Sequence, residues 1–73
     1  MTADELAQHR FELQVRKLEQ QLRELQTVVY GTDQIEDVDE WRKAARAAGR
    51  RLDIQVRTGI SRDGTKVWAS EGP

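Results

Sequence analysis

Between residues 11 and 29 the apolar side chains recur at spacings of four and three: Phe11, Val15, Leu18, Leu22, Leu25 and Val29. That is the seam of a helix that packs along one side. Nothing interrupts it. The first thirty residues contain no Gly or Pro, and Leu, Gln, Glu and Arg, all good helix formers, dominate them. Thr2 or Asp4 can cap the start, and acids in the opening turn suit the helix dipole. Glu12–Arg16 and Glu19–Arg23 add i,i+4 pairs of about 0.3–0.5 kcal/mol each. The spacing therefore predicts a coiled-coil helix over residues 1–30, with Gly31 as its stop. Thr27-Val28-Val29-Tyr30 is rich in β-branched side chains and is where such a helix would fray.

Residues 31–37 read as a turn. Asp37, three residues before Glu40, resembles a capping box and opens a second helix over about Val38 to Leu52. Trp41, Ala45, Ala48 and Leu52 share one face of it, flanked by Val38 and Ala44, and the alanines allow close approach. Gly49 is a candidate for ending this helix early. Beyond it, Ile54, Val56, Thr58 and Ile60 alternate with Gln55, Arg57 and Gly59, and residues 65–69 alternate likewise. Asp63-Gly64 between them is a strong hairpin signal. A two-residue turn there pairs Ile60 with Val67 and Thr58 with Ala69, and sets Trp68 over Gly59. A four-residue loop also keeps the apolar sets together, whereas a three-residue loop puts Ile60 beside Lys66. The predicted class is α+β, mostly α: a coiled-coil helix (1–30), a turn (31–37), a helix plus β-hairpin unit (38–70) and a loose tail (71–73).

A chain of 73 residues builds a small core, one that rarely supplies more than about 3–5 kcal/mol by itself. With no cysteine there is no disulfide or thiolate site, and His9 alone cannot hold zinc. The staple left is association. The first helix would span about 40 Å and the second about 22 Å, so a folded-back second helix covers only half of the first. Phe11, Val15 and Leu18 then need cover from another chain. The expectation is a homodimer through Phe11, Val15, Leu18, Leu22, Leu25 and Val29. Val at a and Leu at d favour a parallel pair, although Gln at the g positions leaves the orientation open.

Charge is segregated. Residues 1–41 hold four basic and ten acidic side chains, and residues 42–73 hold eight basic and three acidic. Arg42, Lys43, Arg46 and Arg50 lie opposite the apolar face of the second helix. At i,i+4 spacing Arg42, Arg46 and Arg50 repel one another, which a polyanion would relieve. Arg51, Arg57, Arg62 and Lys66 carry the charge onto the hairpin. Arginine's planar fork suits phosphate. Trp68, on the same strand face as Arg57 and Lys66, is placed to stack on a base; alternatively it stacks on Arg57 or lies under the first helix.

The function expected is therefore a small dimeric nucleic-acid-binding protein, for DNA before RNA. Its contacts would be Arg42, Lys43, Arg46, Arg50, Arg51, Arg57, Lys66 and Trp68. The alternative is a coiled-coil protein-interaction or assembly module whose basic face is answered by its own acidic segments. No enzyme is expected, since no nucleophile–base pair or glycine-rich phosphate loop is present. The acids Asp33, Glu36, Asp37, Asp39 and Glu40 lack calcium-loop spacing and are read as helix-start residues, so neither metal nor cofactor is expected. No apolar run reaches the ~20 residues of a membrane span and no signal peptide is visible, which points to a cytoplasmic protein without membrane contact.

Overall fold

The computed structural model describes residues 2–72 and forms two layers, with a pair of helices on one face of a three-stranded antiparallel sheet. The first helix, α1, runs Ala3–Leu25. Thr2 caps it through a complete capping box with Glu5. It stops earlier than predicted. Gln26 takes a left-handed conformation, φ 64°, and its N–H bonds the Leu22 carbonyl at 2.9 Å. Thr27–Gly31 then forms strand β1 rather than a frayed turn of helix. The β-branched and aromatic side chains here suit a pleated surface better than a helix, and pairing with a distant strand supplies the ladder.

A 3₁₀ turn, Thr32–Gln34, leads to helix α2, Val38–Arg51. Asp37 caps α2 by accepting from the Glu40 N–H at 3.1 Å. Trp41, Ala44, Ala45 and Ala48 are buried, as the face pattern required. Gly49 does not end the helix. A Cβ there would lie 2.4 Å from Val56 Cγ2, so the glycine lets α2 press onto the sheet.

Strands β2 (Val56–Ile60) and β3 (Lys66–Glu71) form the expected hairpin in the expected register, Ile60 opposite Val67, Thr58 opposite Ala69 and Gly59 opposite Trp68. The connection is a four-residue loop, closed by Ser61 N–H to Lys66 O at 2.8 Å. The Asp63 carboxylate accepts from the Ser61 hydroxyl and from both the hydroxyl and the N–H of Thr65. These bonds pull its pKa from 3.8 to about 2. The hairpin is not the whole sheet. Strand order is β1-β3-β2, with Val28 opposite Ala69 and Tyr30 opposite Val67. Glu71, assigned to the tail, belongs to β3, and Gly72 N–H bonds Gln55 O at 3.1 Å. Pro73 lies outside the described residues.

The core joins Val15, Leu18 and Leu22 of α1, Trp41 and the alanines of α2, and Val28, Val67 and Ala69 of the sheet. Tyr30 packs against Trp41 with ring centroids 5.6 Å apart and donates its hydroxyl to Gln21. This overturns the premise of the dimer. Val15 and Leu18 are 2% and 1% exposed within one chain, because a sheet joins α2 in covering them. Phe11 packs against the same core. Leu25, at 64%, is exposed, and Val29 sits on a strand rather than on a heptad seam. A 4–3 spacing sustained over only a few turns is also what any helix docked on a globular core displays. Among the described residues no helix is long and apolar enough to cross a membrane.

Candidate nucleic-acid interface

Six of the eight cations in residues 42–73 sort by what they meet. Two have structural partners. Arg42 Nε donates to Thr58 Oγ1 at 2.9 Å, tying α2 to β2 in a partly buried contact. Arg51 turns toward α1, with Nη2 3.2 Å from Glu12 and Nη1 3.8 Å from Glu19. Partly exposed pairs of this kind contribute only about 0–1 kcal/mol, but they place acidic oxygen beside the guanidinium. Lys43 is exposed and lines a groove whose walls also carry Glu12, Asp39 and Glu40. A phosphate there would meet carboxylates.

The remaining cations look elsewhere. Arg46 and Arg50 are exposed on α2 and meet Arg57 of β2 around a shallow groove of about 400 Å³, with Ile54, Gln55, Val56 and Gly72 completing its walls. Among the described residues none of these three arginines forms an ion pair. Three guanidiniums around one concavity, with no carboxylate in its lining, form a site for an anion.

Arg57 also belongs to the sheet's second face. Alternation sends Val28, Val67 and Ala69 toward the helices, so their neighbours point the other way. Pairing arranges them in rows: Thr27, Ser70 and Arg57; then Val29, Trp68 and Gly59; then Gly31 and Lys66. Neither helix covers this face. None of its eight residues is acidic and two are cations, but the Asp33 carboxylate lies over Gly31 at one end, 2.5 Å from where a Cβ would stand. Trp68 lies across Gly59, where a Cβ would fall 2.4 Å from Cζ2, 2.6 Å from Cε2 and 2.9 Å from Nε1. Only glycine leaves room for the indole to lie down. Val29, 56% exposed, borders it on the other side. Thr27 and Ser70 share a hydroxyl contact at 3.0 Å.

Of the eight residues expected to contact nucleic acid, the fold thus brings Arg46, Arg50 and Arg57 together around one groove and sets Arg57, Lys66 and Trp68 on the open face of the sheet. It sets Arg42, Lys43 and Arg51 apart. Trp68 does not lie under α1, and among the described residues no cation–π contact joins it to Arg57; the one such contact is Lys17 over Tyr30, 5.7 Å from the ring centroid. Sequence reasoning missed Val29 and Thr27 as members of this face. The available signal was the β-branched run itself, which reads as strand once the helix is allowed to stop before it. His9 is exposed on α1. No protein-family model, curated protein or solved structure matches the chain.

Proposed function

We propose that this chain is a nucleic-acid-binding module that grips phosphates with Arg46, Arg50, Arg57 and Lys66. The supporting observation is a groove and an adjoining sheet face, linked by Arg57, that carry those four. Their cations are free of ion pairs among the described residues, the groove lining holds no carboxylate, and the sheet face meets one only at its Gly31 end, where Asp33 lies. Acids elsewhere are partly answered within the chain, where Glu12 and Glu19 hold Arg51, and Glu36 and Glu40 hold Arg10. A net charge of −1 is compatible with polyanion binding, because these internal pairs take up acidic charge away from Arg46, Arg50, Arg57 and Lys66.

Fluorescence anisotropy with labelled DNA tests this. About four phosphate contacts give a log–log salt slope of roughly −3 to −4, and Arg46→Ala/Arg50→Ala removes about half of it. Absence of binding to duplex and single strand alike at low salt would reject the proposal. So would binding that survives the double substitution with its slope intact.

A second reading, a self-associating protein-interaction module, draws on Leu6 and Leu13. They lie one heptad apart on α1 and are 55% and 52% exposed. Light scattering that finds a dimer, abolished by Leu6→Gln/Leu13→Gln, supports it; a monomer at micromolar concentration removes it.

A further inference from the structure

We infer that the open face of the sheet is built for a single strand, with one unpaired base stacked on Trp68. This deepens the nucleic-acid proposal and rests on it. Shape is the first ground. Three strands about 4.8 Å apart, backed by two helices, present a face wider than a two-stranded ribbon. The major groove of a duplex, about 12 Å wide, admits one helix or a two-stranded ribbon, and the minor groove is narrower still. A three-stranded face backed by helices is wider than that ribbon and meets the outside of a duplex before any base. Against a single strand the same face meets bases directly.

The second ground is the indole's placement. Trp68 stands on the central strand, and its ring is laid down by Gly59 rather than held upright by a neighbour's side chain. Trp68 is only partly buried, leaving ring surface for a base. Val29 beside it offers an apolar edge for a sugar or a thymine methyl. Every base has a π-face, so stacking here tolerates sequence.

Charge is the third. Arg57 lies one row from Trp68 on the neighbouring strand, and Lys66 lies two residues along its own strand. Backbone phosphates on either side of a stacked base therefore meet a cation in both directions. The face carries two cations, Arg57 and Lys66, and the carboxylate set against it, Asp33 at Gly31, lies at the Lys66 end two rows from Arg57, so its charge favours a polyanion over an apolar or basic partner surface. Gly59 acts here as a positioning residue, setting the plane that the base meets.

The test uses the chain's own fluorescence. Trp41 is 1% exposed, so a ligand-dependent change in emission reports Trp68. Oligo(dT) of about 12 nucleotides and a duplex of equal length are titrated at low salt. Oligo(dT) is expected to quench the emission and to bind more tightly than the duplex. Trp68→Leu should weaken oligo(dT) about tenfold and leave the duplex unchanged, while Trp68→Phe, which keeps a ring, retains most of the affinity. Gly59→Ala should reduce the quenching by tilting the indole; circular dichroism verifies its fold, and the two Trp68 variants decide the matter if it does not fold.

Equal or tighter duplex binding, or oligo(dT) binding that leaves Trp68 emission unchanged, overturns the inference while the phosphate-binding proposal stands. A dimer that dissociates on Trp68→Leu overturns it in favour of a second copy on this face. Failure of both nucleic acids to bind rejects the underlying proposal instead.

Discussion

The two faces of the sheet use the same tools for opposite ends. Each has a tryptophan and a glycine that lets something approach. On the covered face Trp41 is buried among Val15, Leu18 and Val67 in one core cluster, and Gly49 lets α2 settle onto Val56. On the open face Trp68 lies on Gly59 with only Val29 beside it, and cations stand around it. One arrangement removes apolar surface from water; the other keeps a flat aromatic surface available. Burial, and not residue type, separates a structural tryptophan from a candidate binding one.

Exchanging the tryptophans should break this comparison most visibly. Trp41→Ala removes a fully buried indole, a loss of about 3–5 kcal/mol. That equals the whole stability expected of so small a core, about 3–5 kcal/mol. The variant should be largely unfolded at room temperature by circular dichroism. Trp68→Leu should stay within about 1 kcal/mol of the parent in urea denaturation. If the two substitutions destabilise equally, the faces are not different in kind.

The glycines should differ next. Gly49→Ala forces a methyl to within 2.4 Å of Val56 Cγ2. Overpacking exceeds the gain in helix propensity, for a net loss of about 1–2 kcal/mol. Adding Val56→Ala should recover part of it, and a double-mutant cycle that shows no coupling would contradict the close approach.

The smallest effect concerns Asp63, in the loop that serves both faces. Its pKa is lowered to about 2, first by the Ser61 hydroxyl and then by the Thr65 N–H and hydroxyl. Because the folded value is depressed, its contribution is complete above about 3.8 and is lost as pH falls through about 2. The group is fully exposed, so the loss is local. Exchange of the Thr65 amide should speed up across that window, and Asp63→Asn should flatten the dependence. A pH-independent Thr65 amide would contradict the loop geometry.

How much of this was legible beforehand divides by the range of the interactions. Local signals read correctly: the Asp37 cap and a first cap at Thr2 or Asp4, which the structure places at Thr2, the buried face of α2, and the Asp63-Gly64 hairpin with its Trp68-over-Gly59 register. The long-range pairing did not. Val28 and Val29 continue a 4–3 spacing begun by Phe11, so periodicity extended the helix through them. Only pairing with β3, far along the chain, makes Thr27–Gly31 a strand. The dimer expectation came from the same omission, since the comparison of helix lengths left no sheet to cover Val15 and Leu18. Among the candidate contacts, the helix wheel placed Arg46 and Arg50 on the outward face. It had no means of showing that Arg51 would reach Glu12 and Glu19 or that Arg42 would reach Thr58.

The strand order carries one more consequence, for assembly. The middle of the sheet is β3, the last strand in the chain, and the first strand joins it across a separation of 43 residues at Thr27 and Ser70. A nascent chain can coil α1 and begin α2, but Thr27–Gly31 has no edge to join until β3 emerges. The β2–β3 hairpin closes over a short loop, so it is the natural template. Until β1 arrives, the free edge of β3 is the segment most open to pairing with a neighbour.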